Sequence, residues 1–378
     1  MDGTIKMRIP NGKKREINKK MSDNKKFLKE YLDAFSPVGR EFEGQKIWID
    51  YVRPLVSEMK VDAYGTAYGL IKGMPGDKKV VLEAHCDEIA WIITEIEANG
   101  MIRVKTNGGS DNMIAPSMTV IVHTHEGKKV PGVFGWPAIH TREKRVDMGP
   151  EVHDLWVDLG VDTAKKVAKL GVEVGNCITF DQTFFELGKY YVGRSLDNKI
   201  GGYIIAEVAR ELREEGVTLP FDLYIVNAVQ EEVGLFGARL IAQTIKPDIA
   251  LVHDVTHNTN SPKMNKAKSG DVKGGAGPVI EYASQNHKDL IKIVRDVAKK
   301  KEIPLQLSVG SQGNDTVSFF LENIPTVIVA SPLKYMHTTV EMVHKDDVAA
   351  AIQVFKETLK QLTTGTISMI NDQTHKYV

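Results

Sequence analysis

Hydrophobic and polar positions along this chain fall into two textures. From residue 27 to about 88, and again from about 186 onward, apolar residues recur at helical spacing or in short unbroken runs. Phe27-Leu28 and Tyr31-Leu32 open an amphipathic helix, Pro37-Val38-Gly39 makes a turn, and Ile47 to Met59 reads as a second helix. Ile200, Ile204, Ile205, Val208 and Leu212 share one helical face, and Val348, Ile352, Phe355, Leu359 and Leu362 share another. Between the helices lie runs with no polar alternation: Val80-Val81-Leu82 leading to His85, Leu223 to Val229, Ile249 to His253, and Thr326 to Ala330. Such runs predict strands buried on both faces, as in a parallel sheet covered by helices.

The second texture, from about Ile89 to Phe185, consists of short β-branched runs separated by turn residues. Met101-Ile102-Arg103-Val104, Met118 to Val122 and Val130-Pro131-Gly132-Val133-Phe134 are examples, with a short helix expected at Thr163 to Leu170. This spacing predicts a small β-barrel. The expected fold is therefore α/β, a mixed, mostly parallel sheet flanked by helices, with an inserted small β-barrel. Its divisions are a basic N-terminal arm (1–26), an α/β domain in two pieces (27–88 and 186–378) and the insertion (89–185). Ser261 to Pro278, rich in Lys and Gly, reads as a long mobile loop.

Composition narrows the function classes. Lys plus Arg and Asp plus Glu balance at 49 each, so no whole-molecule field attracts nucleic acid or an anionic membrane. Basic residues crowd only the first 26 positions, where a solvated terminus is expected. No apolar run approaches the roughly 18 residues of a membrane span, and no signal-type apolar segment follows the basic start, which predicts a cytoplasmic protein. The two cysteines, Cys86 and Cys177, carry no C-x-x-C spacing and suit a reducing compartment.

The candidate chemistry gathers where apolar runs stop. Crevices beyond the carboxyl ends of parallel strands are where α/β sheets bind ligands. His85 and Asp87 share a face at the end of one run, so the carboxylate can orient the imidazole; taken alone, H-x-D reads as a surface ion pair. Asp197 precedes the helix near Ile200, where it is either a cap or a carboxylate able to bridge two ions. Glu231 and Glu232 follow the strand ending at Val229. Adjacent buried carboxylates are costly unless cations compensate them, although exposed acids at a helix start also fit. One Glu could ligate while the other accepts a proton. Asp254 ends the run from Ile249, with His253 and His257 beside it as possible support, and His337 lies beyond Ala330; either could be an ordinary loop residue. Carboxylate and imidazole donors without thiolate suit Zn, Co or Mn.

Together these residues resemble the tetrahedral, or glutamyl-type, aminopeptidases, family forty-two of the metallopeptidases. The motifs stand here, in the family's order, as His85-Cys86-Asp87-Glu88-Ile89, Leu196-Asp197-Asn198-Lys199-Ile200-Gly201, Gln230 to Ala238, His253-Asp254-Val255-Thr256 and Met336-His337. The resemblance implies a two-metal aminopeptidase acting on short peptides. His85 and Asp254 would hold one ion, Glu232 and His337 the other, and Asp197 would bridge them. Glu231 would be the general base of a metal-activated water, and Asp87 would orient His85. The resemblance further implies that the inserted barrel is the oligomerisation module of a hollow homododecamer. Two departures bear on tuning and substrate preference: Asn198-Lys199 follows the bridging Asp where the family commonly has Asp-Arg, and Ser311 to Thr316 strays from the usual glycine-rich G-T-D form. Two rivals stand beside this reading, a metal-independent glycosidase built on a carboxylate pair and a non-catalytic oligomeric scaffold. Sensitivity to a chelator separates the first, and missing ligands would mark the second.

Overall fold

A computed structural model of the chain describes residues 24–141, 149–310 and 313–377. Nearly all of the expected basic arm, and Ser311 and Gln312, lie outside the described residues. The sheet is mixed and eleven-stranded among those residues. It runs β1 (Glu58–Val61), β2 (Ala67–Ile71), β12 (Asp222–Ala228), β3 (Lys79–His85), β13 (Ile249–His257), β16 (Thr326–Lys334), β17 (Glu341–His344), β11 (Tyr190–Gly193) and β10 (Phe185–Leu187). To this are added β14 (Val279–Tyr282), antiparallel to β16, and β15 (Gln306–Val309), parallel to β14. The central strands β12, β3, β13 and β16 are mutually parallel, and antiparallel strands flank them.

The unbroken apolar runs are explained by helices on both faces. Along β3, Val80, Leu82 and Ala84 pack with α1 (residues 24–33), α2 (Phe42–Val52), α4 (Leu196–Glu214), α7 (Lys288–Lys300) and α9 (Lys345–Gln361), through residues such as Phe27, Trp48, Ile204, Ile291 and Phe355. The intervening Val81 points to the other face, where Ile241 of α5 (Phe236–Ile245) and Phe319 of α8 (Thr316–Leu321) cover it. A strand wrapped on both sides has no solvent face to mark with polar residues.

The barrel closes in the order β4 (Ala90–Ile96), β5 (Ile102–Asn107), β8 (Val157–Asp158), β7 (Lys129–Phe134), β6 (Thr119–His123) and β9 (Cys177–Phe180). Its core is centred on Trp91, whose ring meets Phe134 and Phe180 edge-on at 5.0 and 4.7 Å. The expected short helix is α3 (Ala164–Lys169), capped by the Thr163 side chain. Where the chain enters the barrel, buried Glu88 pairs with Arg194, which lies beyond the barrel's exit and also donates to the Asp33 and Ala34 carbonyls. That pair fastens the barrel to the α/β part at the edge nearest His85.

Three local expectations change. The second helix stops at Val52, because Pro54 has no N–H to continue it, and Met59 lies instead in β1, paired with β2. β13 does not end at Asp254 but runs on to His257, since β16 continues beside it as far as Leu333. The Ser261 to Pro278 segment contains α6 (Lys266–Ser269) and is tied down: Thr259 and Val272 bond reciprocally at 2.9 Å, and the Gly275 and Gly277 amides donate to Asp347 at 2.7 Å. Among the described residues no helix is long and apolar enough to cross a membrane.

Candidate metal centre

Register brings the candidate side chains together. β3 and β12 lie parallel with His85 level with Ala228, so Glu231 and Glu232, just past β12, emerge beside the imidazole. Asp254 on β13 and His337 just past β16 come up on the other side, and the start of α4 delivers Asp197 between them. His85 Nε2 lies 3.3 Å from Asp197 Oδ1, 3.7 Å from Asp254 Oδ1 and 3.9 Å from Glu231 Oε2. His337 Nε2 lies 3.2 Å from Asp197 Oδ2 and 3.3 Å from Glu232 Oε1. All six meet in one place, with one oxygen of Asp197 toward each imidazole. Two adjoining donor sets, with no residue in common, could each hold a cation: His85 with Glu231 and Asp254, and Asp197 with Glu232 and His337.

Asp87 does more than the sequence suggests. Its Oδ1 is 3.4 Å from His85 Nδ1, and its two oxygens accept the backbone N–H groups of Glu231 (3.0 Å) and Glu232 (3.1 Å). One buried carboxylate thus sets the course of the chain that presents both glutamates. Glu341, unremarked in the sequence, does the matching job across the site: its oxygens accept the N–H groups of His337 (2.7 Å) and Asp197 (3.1 Å). His337 Nδ1 lies 3.0 Å from the Gly109 carbonyl of the barrel loop, which leaves Nε2 as the ring atom that faces the cluster. His253 faces away from the cluster and packs between Asn198 Oδ1 (3.0 Å) and Ser331 Oγ (2.9 Å), while Asn198 donates to the His253 carbonyl. A side chain on Gly201 would collide with that His253–Asn198 contact, which accounts for the glycine four residues after Asp197. Ser195, Gln230, Tyr335 and His337 all hold positive φ, a conformation uncommon outside glycine that tends to gather at functional sites.

The cluster is short of positive charge. Burial, with Asp254, Asp315 and Glu232 nearby, pushes the Glu231 carboxyl up to about 10 despite the opposing His85. Burial likewise raises Glu232, where Asp197 adds to the effect, and Asp254. Burial works against the charged form of His337, yet Asp197 and Glu232 raise it to about 11. For Asp197 burial is outweighed by His337 and His85, and its carboxyl is held below the usual range. Two imidazoles are too little charge for four ligand-type carboxylates, two buried and two part-buried, and a donor set of oxygen and imidazole nitrogen fits divalent cations that would make up the difference. Beyond the cluster opens a cavity of about 530 Å³, bounded by Thr256, Glu281, Ser308 and Gly310 as well as by the cluster itself.

The chain is similar over most of its length to known peptidases. The FrvX protein of Escherichia coli strain K12 is 30% identical over 353 residues, covering 91% of this chain and 97% of that one. The TET aminopeptidase from a marine-sediment Thaumarchaeota archaeon superimposes with a TM-score of 0.88 at 28% identity, covering 93% and 99% of the two chains. The Pyrococcus horikoshii TET1 peptidase, which can assemble into a tetrahedron or a large octahedral shell, does so with a TM-score of 0.81 at 28% identity, covering 90% and 100%. The family model described as M42 glutamyl aminopeptidase matches residues 65–354, a span holding every side chain of the cluster, and the chain belongs to that family of metal-dependent aminopeptidases.

Proposed function

We propose that this protein trims N-terminal residues from short peptides with two divalent cations. His85 and Asp254 would hold one ion, Glu232 and His337 the other, with Asp197 shared. The observation that carries this reading is the placement of Asp197, whose two oxygens each face a different imidazole. When bound, such ions supply Lewis acidity that polarises a peptide carbonyl and acidifies water.

The chain's own residues do the rest. Glu231 lines the cavity beside His85, where its carboxylate can take the proton of the attacking water and deliver it to the departing amine. Asp87 holds the Glu231 and Glu232 backbone so that one glutamate faces the His85 group and the other the His337 group. Glu341 fixes the donor at the start of α4 and the one in the loop past β16, through the Asp197 and His337 amides.

We also infer Zn, Co or Mn as the ions from the donor types, a cytoplasmic setting from two free buried cysteines, and a homo-oligomer in which the barrel, residues 89–185, joins copies of residues 27–88 and 186–378. Support for the assembly comes from the shells of the TET1 relative and from apolar side chains exposed on the barrel part, among them Met113, Ile139 and Val174.

The test is Glu231→Gln. Metal content measured by elemental analysis should match the wild type, while turnover of aminoacyl chromogenic substrates should fall about 10²- to 10⁴-fold. Full activity in that variant refutes the assignment of Glu231, and metal-free, chelator-insensitive activity in the wild type refutes the two-ion reading.

A further inference from the structure

Outside the ligand cluster the cavity wall holds one other buried acid. Glu281, on β14, is 6% exposed and lines the cavity, and among the described residues no Lys, Arg or His forms an ion pair with it. Thr256, on β13 two residues past Asp254 and therefore on the same face of that strand, lines the cavity beside Glu281. Burial raises its carboxyl, with Asp254 adding to the effect, so the site lacks a positive charge here as well. The carboxylate lies over Gly310, where any side chain would run into it; the absence of a Cβ leaves it room beside the wall. Lys268 stands at the cavity's rim, exposed and clear of Glu281.

We propose that Glu281 selects peptides whose first residue carries a basic side chain, receiving the terminal cation of an N-terminal lysine or arginine. The proposal rests on the aminopeptidase reading above, because it places the scissile end of the substrate at the ligand cluster. Two residues of strand advance about 6.6 Å, so the step from Asp254 to Thr256 carries the receiving carboxylate roughly one long side chain away from the cluster. A lysine's four-carbon stem fits that separation, and its ammonium would meet a carboxylate already desolvated and without a cation, where a charged contact is far stronger than in water. A neutral N-terminal side chain would leave Glu281 as it is. An acidic one would bring a like charge against it.

The experiment compares the wild type with Glu281→Gln and Glu281→Lys. In turnover, kcat/KM for Lys- and Leu-chromogenic substrates gives a preference ratio. In calorimetry, binding of lysinamide against norleucinamide gives the same preference without chemistry, so that a protein inactive on every aminoacyl substrate would sink the aminopeptidase reading while Glu281 could still be judged by binding. The wild type should favour the lysyl compounds at least 10-fold. Glu281→Gln should lose most of that ratio, chiefly through KM, and Glu281→Lys should turn the preference toward N-terminal glutamate. A wild type without lysyl preference, or folded variants that keep it, would overturn the proposal. So would a loss in Glu281→Gln that is equal for lysyl and leucyl substrates, since that would place the substrate's α-amine, not its side chain, on Glu281.

Discussion

Asp87 shows how much a single residue's setting adds to its identity. It is fully buried, and both its oxygens are taken by backbone donors of the two glutamates, with His85 Nδ1 alongside. In Asp87→Asn the new NH₂ would face an N–H donor across a buried contact, leaving two donors opposed and the Glu231-Glu232 turn loosened. Groups that orient metal ligands typically cost 10- to 100-fold on removal. We expect that loss in both metal affinity, by titration of stripped protein, and kcat/KM; a variant indistinguishable from wild type in both would remove Asp87 from the account. The ligand-type residues were legible because each interrupts or follows an apolar run, as His85 follows Val80 to Ala84 and Glu231 follows Tyr224 to Val229. Glu341 was not, because Val340-Glu341-Met342-Val343 reads as ordinary strand alternation and nothing in it shows that the carboxylate turns toward amides four and 144 positions away. Glu83 was not legible either: it is fully buried inside the run that leads to His85, and Asp315, the acid the fold sets beside it, lies far along the chain.

At the scale of elements, the junction between barrel and sheet carries a titratable group with a defined sign. His123 ends β6, touches Thr179 Oγ1 of β9 at 2.8 Å and stacks obliquely on Phe35 with centroids 4.9 Å apart. Burial, aided by Arg194 and Lys129 against Glu88 and Glu43, lowers it to about 4, whereas an unfolded histidine titrates near 6.5. Between those values the unfolded chain binds more protons than the folded one, so stability falls as the pH drops. The contribution is whole above about 6.5, is lost on the way down and is gone by about 4, at most about 3 kcal/mol in all. Urea midpoints at pH 7 and pH 4.5 for wild type and His123→Gln check it: the wild type should lose more between the two values, and equal losses would contradict the assignment. The same scale shows where helical periodicity misled. Ile47, Tyr51, Leu55 and Met59 keep helical spacing through a real break, because Pro54 ends the helix while the apolar residues go on packing against the same core from a 3₁₀ turn and a strand. Periodicity reports which residues face the core, and the proline reports what the backbone can do about it.

At the scale of the whole molecule, apolar side chains exposed on the barrel part decide what the chain can associate with. The barrel fills its own interior with Trp91, Phe134 and Phe180, yet its part of the chain leaves Met113, Ile139 and Val174 each more than half exposed. Its root is fixed to the site: Glu88 and Arg194 clamp it beside His85, and the Gly109 carbonyl reaches His337 Nδ1. A force applied to the barrel by a neighbouring copy would therefore be felt at a proposed ligand, and assembly would then be tied to activity through one short loop. Light scattering of the metal-loaded protein should give a mass several times that of one chain. A double substitution Met113→Lys and Ile139→Lys, placed on exposed positions so as to spare the barrel core, should lower that mass. If the smaller species keeps full activity and metal content, the loop around Gly109 does not depend on neighbours; a wild type that is monomeric at micromolar concentration would dismiss the barrel as an assembly module altogether.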